Sequence, residues 1–301
     1  MTARGSAWRR NVAVAVVVLL APLALDACGK DDPGVAPRPS PTPSVTTPAM
    51  QILTPSSVPT TSSPPSASPT ALPSQGRAAS PWPSIPIGLL GQDVERIPTG
   101  RRLVALTFDA GANADALPSI LATLAVERVT ATFFLTGDFV RSFPSAARSI
   151  VAAGHRLGNH SVSHPRFTSL TDDEIRGQVL DAAKAIRTVA GGNPQPLFRF
   201  PFGDRDARTI AAVNDLGYVA VRWTVDSLGW QGVTGGRTAN DVTRRVLGNA
   251  QPGQIVLMHV GSHPSDGSML DAQALPDVIV GLRQAGYELV TLDALSTAAT
   301  G

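Results

Sequence analysis

Short β-rich runs alternate with amphipathic helical stretches between residues 103 and 291, and this alternation restricts the fold more than any other feature of the chain. The predicted strands cover residues 103–108, 131–135, 156–159, 197–200, 218–223, 255–259 and 288–291. The predicted helices cover residues 114–126, 139–153, 172–189, 207–216, 239–248 and 274–285. Thr171, with Glu174 three residues later, forms a capping-box pattern that predicts the start of the longest helix. Strands that alternate with helices are typical of an α/β fold with a largely parallel sheet.

Residues 1–27 have the pattern of a secretory signal peptide. Three arginines precede residue 11, and no acid precedes Asp26. An apolar stretch extends from residue 12 to residue 25 and is interrupted by Pro22. Such a stretch is too short for a typical membrane-spanning helix, and polar residues follow it closely. We therefore expect the chain to be exported.

Cys28 is the only cysteine of the chain and directly follows the predicted signal peptide. The run Leu25-Asp26-Ala27-Cys28 resembles the cleavage box of bacterial lipoproteins, which implies that Cys28 carries a lipid. We expect the protein to be held by this anchor at the extracellular face of the cell membrane. An uncleaved anchor and an ordinary buried thiol are the alternatives. A single cysteine excludes a disulfide within the chain.

Residues 39–76 contain no Asp, Glu, Lys or Arg, and Pro, Ser and Thr dominate the segment. Such a segment cannot bury enough apolar surface to become ordered. We predict that residues 28–95 form a disordered linker. Residues 96–301 remain for the folded domain, and about 200 residues are enough for a single hydrophobic core.

The charge of the chain argues against nucleic acid as a partner. The 25 basic residues are scattered arginines with only two lysines, Lys30 and Lys184, and 23 acidic residues balance them. A nucleic-acid-binding protein usually clusters its basic residues in a patch or along a helix. We expect a monomeric protein that binds no nucleic acid.

Five short segments carry the candidate functional residues, and each ends a predicted strand or lies in the loop after one. They are Thr107-Phe108-Asp109, His160-Ser161-Val162-Ser163-His164, Arg199-Phe200-Pro201-Phe202, Trp223-Thr224-Val225-Asp226 and Leu257-Met258-His259. In a barrel of parallel strands, the carboxyl ends of the strands are the face where active sites are built. Two histidines four residues apart can also bind one metal ion.

In order and spacing, the five segments resemble the polysaccharide deacetylases of the NodB-homology group, carbohydrate esterase family 4. The resemblance covers residues 101–295. It implies an α/β fold of the distorted (β/α) barrel type. It also implies the removal of acetyl groups from a cell-wall polysaccharide, either N-acetyl sugars of peptidoglycan or a chitin-like glycan. A divalent metal ion, with zinc expected, would polarise the acetyl carbonyl and bind the attacking water.

The resemblance assigns a role to each matched residue. Asp109 corresponds to the general base, and Arg199 to the arginine that orients this base. His160 and His164 correspond to two metal ligands. His259 corresponds to the general acid that protonates the leaving amine, a task that suits an imidazole because its ordinary pKa of about 6.5 lies near neutrality.

Four further residues are expected around these groups. Asp226 corresponds to an acid that supports the catalytic side chains. Phe202, Trp223 and Trp230 are expected to bind substrate, and the backbone N–H near Phe202 would help to stabilise the oxyanion. Amide hydrolysis needs an activated water, stabilisation of the tetrahedral oxygen and a proton for the leaving group, so the implied set is chemically coherent.

The chain departs from the family pattern at two positions. Active members carry Asp-Asp in the first segment, where the second acid is the third metal ligand, and this chain has Ala110 there. The family often has an acid directly before the tryptophan to tune the general acid, and this chain has Gly229. Acids and a histidine in nearby loops could replace the lost groups: Asp115, His263, Asp266 and Asp271.

Three functions are compatible with these features. The first is a metal-dependent deacetylase of cell-wall polysaccharide, which the retained base, arginine, histidine pair and acid favour. The second is a catalytically inactive glycan-binding module of the same fold, because Ala110 removes a ligand. The third is a hydrolase of another acyl or amide substrate.

Overall fold

The computed structural model describes residues 84–298 of the 301-residue chain. The predicted signal peptide, the predicted lipid attachment at Cys28 and most of the predicted linker therefore lie outside the described residues. Within residues 84–298, no helix is both long enough and apolar enough to cross a membrane.

The described part of the chain contains nine strands and eight α-helices. The strands are β1 (Asp93–Val94), β2 (Leu103–Ala110), β3 (Thr132–Leu135), β4 (Arg156–Asn159), β5 (Leu197–Phe198), β6 (Val219–Val221), β7 (Val225–Asp226), β8 (Gln254–His259) and β9 (Glu288–Val290). The helices are α1 (Leu117–Val126), α2 (Gly137–Ser142), α3 (Pro144–Ala152), α4 (Asp172–Ala185), α5 (Ala207–Asp215), α6 (Ala239–Gly248), α7 (Leu270–Gln284) and α8 (Ala294–Ala298). A π-helical turn, Ile186–Ala190, continues α4.

All nine strands belong to one sheet, and every named pair of neighbouring strands is parallel. The order is β1-β6-β5-β4-β3-β2-β8-β7, and β9 pairs with the start of β2. Parallel pairing brings the carboxyl ends of the strands, where the five candidate segments lie, to one face. The predicted α/β fold with a parallel sheet is confirmed.

The two edges of the sheet meet at residues 222–224, which connect β6 with β7. Arg222 donates its backbone N–H to the carbonyl of Val94 in β1 at 2.8 Å. Thr224 donates its backbone N–H to the carbonyl of Ile255 in β8 at 2.8 Å. The sheet therefore curls into the distorted (β/α) barrel that the family resemblance implies.

Strand β2 is buried along its whole length and separates two apolar layers. Phe108 and Ala110 pack between the sheet and the surrounding helices. Ala105 packs on the other face, inside the barrel, together with Phe134. Because side chains alternate along a strand, Asp109 shares the inner face with Ala105 and Ala110 does not.

The predicted helix 139–153 is wrong in one respect, because the structure contains two helices there. Helix α2 ends at Ser142 and α3 begins at Pro144. Phe143 between them has φ −126° and ψ 58°, which is not helical. Proline has no N–H to donate and disfavours helical backbone in the residue before it, so the break follows from Pro144.

Other boundaries differ by smaller amounts. The capping box is present, since Thr171 and Glu174 exchange side-chain and backbone hydrogen bonds at the start of α4. Helix α7 begins at Leu270 rather than at residue 274. Strand β1 precedes residue 96, and Leu89 is buried.

Candidate active site

A cavity of about 630 Å³ opens at the carboxyl ends of the barrel strands. This volume lies in the range typical of small-molecule sites. Eight of the nine predicted site residues in the described part of the chain line the cavity: Asp109, His160, His164, Phe202, Trp223, Asp226, Trp230 and His259. The ninth, Arg199, is fully buried and is hydrogen-bonded to Asp109. The structure therefore brings all five candidate segments together.

Asp109 forms a buried ion pair with Arg199. The guanidinium Nη1 donates to Asp109 Oδ1 at 2.7 Å and to Thr107 Oγ1 at 2.9 Å. Burial raises the pKa of the Asp109 carboxyl, but the positive charge of Arg199 is the largest of the effects that oppose burial, and the pKa lies below its ordinary value. Asp109 is therefore ionised near neutrality, as a general base must be.

Thr107 is a site residue that the sequence interpretation missed. Its hydroxyl accepts from Arg199 and donates to the carbonyl of Val256 at 2.5 Å, so it links the arginine to β8. The signal was available in the sequence, because a polar residue two positions before Asp109 lies on the same face of the strand.

His160 is held by the backbone of the arginine segment. Its Nδ1 lies 2.8 Å from the carbonyl oxygen of Arg199. A carbonyl can only accept, so Nδ1 carries the proton and the lone pair of Nε2 faces Asp109 Oδ2, 3.4 Å away. Hydrogen bonding of this kind fixes the orientation of a ligand histidine in metal sites.

Both histidines of the pair are neutral near pH 7. Burial lowers the pKa of His160. Burial is the main cause that lowers the pKa of His164 to about 4. The neutral imidazole is the form that binds metal ions. Ser161, whose hydroxyl accepts the backbone N–H of His164 at 3.0 Å, and His164 itself both have left-handed backbone, with φ 68° and 61°.

The residues present do not complete the metal site that the resemblance implies. Two imidazoles supply half of a tetrahedral shell. Ala110 lies on the opposite face of β2 from Asp109 and packs among apolar side chains. Within residues 84–298, no group of three or more His, Cys, Asp or Glu residues is placed to hold a metal ion.

The suggested replacement ligands make other contacts. Asp115 accepts a hydrogen bond from Ser262 Oγ at 2.5 Å. Asp266 lies 3.3 Å from the ring of His263 and accepts the backbone N–H of Thr234 at 2.7 Å. The structure therefore does not support Asp115, His263 or Asp266 as a third ligand.

His259 ends β8 and contacts a different acid. Asp271 Oδ2 accepts the backbone N–H of His259 at 2.8 Å and lies 3.6 Å from His259 Nδ1. Asp271 is thus a neighbour of the predicted general acid and not a metal ligand. Burial lowers the pKa of His259, but Asp271, Asp109 and Asp226 together outweigh burial, and the pKa lies above its ordinary value.

Asp226 holds the loop that carries Trp230. Its carboxylate accepts the backbone N–H of Leu228 at 2.9 Å and the indole N–H of Trp230 at 3.2 Å. Leu228 has a left-handed backbone with φ 61°. The hydrogen bonds of the Asp226 carboxylate therefore fix the loop that carries Trp230.

Aromatic rings surround the cavity. Trp230 is 50% exposed and Phe202 is 61% exposed, which is unusual for such large apolar side chains. Phe202 has φ 58° and its ring lies edge-on against His164, with centroids 4.4 Å apart. Trp223 is partly buried, and its ring lies 5.7 Å from the Arg199 guanidinium. Exposed aromatic faces beside polar groups are suited to binding sugar rings.

The arrangement can perform acid–base chemistry on a bound substrate. An ionised carboxylate on β2 and a histidine with a raised pKa on β8 face one cavity, and their backbones are paired in register. Such a pair can remove a proton from water and deliver one to a leaving group. The fold and the site together define a (β/α) barrel with a carboxylate and a histidine facing one cavity at the carboxyl ends of its strands.

Comparison with known proteins agrees with this class. The profile of the family described as "Polysaccharide deacetylase" matches residues 96–221. A peptidoglycan-N-acetylglucosamine deacetylase of Bacillus cereus is 34% identical over 198 residues, which cover 66% of this chain and 70% of the relative. The chain belongs to the polysaccharide deacetylase family.

Two solved structures have the same fold. The Bc1960 peptidoglycan N-acetylglucosamine deacetylase superposes with a TM-score of 0.62 at 33% identity, covering 67% of this chain and 91% of that protein. BA3943 of Bacillus anthracis, a family 4 pseudoenzyme, superposes with a TM-score of 0.60 at 30% identity and covers 66% of each chain. A mutant of BA3943 with restored enzymatic activity also has this fold.

Proposed function

We propose that this protein hydrolyses acetyl groups from N-acetylated cell-wall polysaccharide, either peptidoglycan or a chitin-like glycan. The observation that carries the proposal is the buried Asp109–Arg199 ion pair, which faces the same cavity as His259. Asp109 takes a proton from the attacking water, and Arg199 keeps its carboxylate ionised and oriented. His259 then donates a proton to the nitrogen that leaves. Phe202 and Trp230 form the aromatic rim against which sugar rings stack.

The decisive experiment measures acetate released from N-acetylated glycan oligomers by wild type and by Asp109→Asn. The asparagine has the same shape but cannot accept the proton, so turnover should fall by at least about 100-fold. Asp115→Ala is the matched control, because neither Asp115 nor its partner Ser262 lines the main cavity. A wild type that releases no more acetate than Asp109→Asn across peptidoglycan and chitin fragments would refute the proposal.

A glycan-binding module without catalysis is the second candidate, and the placement of Ala110 favours it. The side chain at this position packs among apolar side chains on the face of β2 opposite Asp109. A similar solved structure is described as a pseudoenzyme of the same family. Binding of the same oligomers by calorimetry, with no release of acetate, would support this candidate.

We also propose that zinc binds through His160 and His164, with water in the remaining positions. The support is the fixed orientation of His160 and the neutral state of both rings near pH 7. With two protein ligands, we expect weaker affinity than in a site with three or four. Calorimetric titration with zinc should show one site that is lost in His160→Ala and retained in His155→Ala. Zinc binding that is unchanged in His160→Ala would place the metal elsewhere.

Lipid anchoring at the extracellular face of the membrane is a further proposal and rests on Cys28 alone. Cys28→Ala should release the protein into the medium or leave an unprocessed precursor, as judged by membrane fractionation and by the mass of the mature chain. A variant that stays in the membrane at the processed size would contradict lipidation. A single species with the mass of one chain in light scattering would support the monomer.

A further inference from the structure

A second, smaller cavity of about 180 Å³ shares Asp109 and His259 with the main cavity and is lined by Asp271. Asp271 is 4% exposed, although it carries a carboxylate. Buried carboxylates are costly unless they are paired or hydrogen-bonded. Its position therefore needs a physical reason.

The contacts between Asp271 and His259 explain why this carboxylate is buried. Asp271 Oδ2 accepts the backbone N–H of His259 at 2.8 Å and lies 3.6 Å from the ring nitrogen Nδ1 of the same residue. Within the described residues, His259 Nδ1 and Asp271 Oδ1 are both buried and have no hydrogen-bond partner. One side chain thus touches both the backbone and the ring of His259. A small rotation of either side chain would bring the carboxylate and Nδ1 into hydrogen-bonding distance.

Asp271 is also held firmly in place. It is the second residue of α7 and lies in the first turn of that helix. A carboxylate in the first turn is stabilised by the helix dipole. The neighbours of Asp271 in this turn, Leu270 and Ala272, are buried in the apolar core, which anchors the helix start.

Gly229 explains how the carboxylate fits. A Cβ atom at Gly229 would lie 2.3 Å from Asp271 Oδ1 and 2.6 Å from its Cγ. The backbone of Gly229 does not have a left-handed φ, so its conformation would be open to other residues. The lack of space, and not the backbone, therefore requires glycine. Position 229 directly precedes Trp230, where the family often carries an acid.

We propose that Asp271 is the positioning residue of His259, and that its carboxylate fills the volume that an acidic side chain at position 229 would otherwise occupy. The proposal rests on the proposed role of His259 as the general acid. Asp271 orients the imidazole through Nδ1 and favours its protonated form, so that Nε2–H can be delivered to the leaving nitrogen.

Other charged groups near His259 also affect its pKa. Asp109 on β2 and Asp226 on β7 favour its protonated form, and burial disfavours it. The Asp226 carboxylate accepts two hydrogen bonds from the loop that carries Trp230. The Asp109 carboxylate forms its ion pair with Arg199. Asp271 is the acid whose contacts are made with His259 itself.

The first test is the titration of His259 followed by NMR in wild type and in Asp271→Asn. Asparagine has nearly the same shape and can still accept the His259 backbone N–H, but it lacks the charge. The pKa of His259 should fall, and the alkaline limb of kcat/KM should move to lower pH in parallel. Asp266→Asn is the control, since Asp266 contacts His263 and Thr234. An unchanged His259 titration in Asp271→Asn would overturn the proposal.

A swap of the two positions tests the shared volume. Gly229→Asp alone should destabilise the protein, because its side chain collides with Asp271. Gly229→Asp combined with Asp271→Ala should fold and bring the His259 titration back toward that of wild type. A double variant whose His259 titrates as in Asp271→Ala alone would refute the exchange of roles. Since NMR needs no turnover, an inactive wild type would refute the deacetylase proposal and leave this measurement interpretable.

Discussion

Arg199→Leu should reveal how much the domain depends on one buried cation. The guanidinium makes four hydrogen bonds inside the barrel: to Asp109, to Thr107, and to the carbonyls of Val221 and Arg222. It also lies 4.1 Å from the ring centroid of Phe134. Leucine fills part of the volume but leaves Asp109, which is 7% exposed, without its counter-ion.

Removal of one partner from a buried ion pair typically costs about 3–5 kcal/mol. The free energy of unfolding of a domain is about 5–15 kcal/mol, so the variant should still fold at room temperature, with a clear loss of stability. Arg101→Leu is the matched control. Its pair with Glu288 is 71% and 61% exposed, and such a surface pair contributes about 0–1 kcal/mol.

The assay is urea unfolding at pH 7, followed by tryptophan fluorescence and circular dichroism. The double variant Asp109→Asn/Arg199→Leu should recover part of the loss, because a neutral amide is cheaper to bury than an unpaired carboxylate. The reasoning fails if Arg199→Leu is destabilised no more than Arg101→Leu, or if the double variant is no more stable than Arg199→Leu.

The sign of the pH dependence follows from the same pair. In wild type the pKa of Asp109 is lowered on folding, so the pair stabilises the protein above the ordinary value of 3.8. This stabilisation is lost as the pH falls through the lower, folded-state pKa. The difference in stability between wild type and Asp109→Asn should therefore shrink in acid, and a difference that grows there would contradict the buried pair.

Three further predictions concern the site. Acetate release should fall as pH rises through the pKa of His259, which is raised above 6.5; a rate that stays flat to pH 10 would argue against His259 as the acid. Ala110→Asp should lower the free energy of unfolding by at least about 1–3 kcal/mol, because the new carboxylate enters an apolar layer. The variant should gain no metal site, and a gain of tightly bound zinc would refute the placement of Ala110. Asp115→Ala and His263→Ala should leave zinc affinity within about twofold of wild type by calorimetry, and a loss comparable to that of His164→Ala would identify the missing ligand.

The fold and most of the site could be predicted because they depend on local patterns. Each long strand is an apolar run of the right length, and Asp109 and His259 lie near the carboxyl ends of two of them, which pair in register. The capping box at Thr171 is likewise local. Three strands have only two residues, which is too short to show a period: β5 lies within the predicted strand 197–200, whereas β1 and β7 were not predicted.

The rest depends on contacts between distant parts of the chain. Gly229 and Asp271 are far apart in sequence, and only the fold shows that one leaves room for the other. The apolar surroundings of Ala110 likewise come from strands and helices that are distant in sequence. The break at Pro144 was visible in the sequence, because proline and the residue before it both disfavour a continuous helix.

Four non-glycine residues in the loops around the cavity have left-handed backbone: Ser161, His164, Phe202 and Leu228, with φ between 58° and 68°. Each such residue is disfavoured by about 1–2 kcal/mol relative to an ordinary conformation, so the four together rival the net stability of a small domain. Directed evolution for heat tolerance alone should therefore enrich glycine or asparagine at these positions. Such variants should have a higher melting temperature but less rigid loops around the cavity, so a library has to be screened for turnover and for thermal stability in the same round.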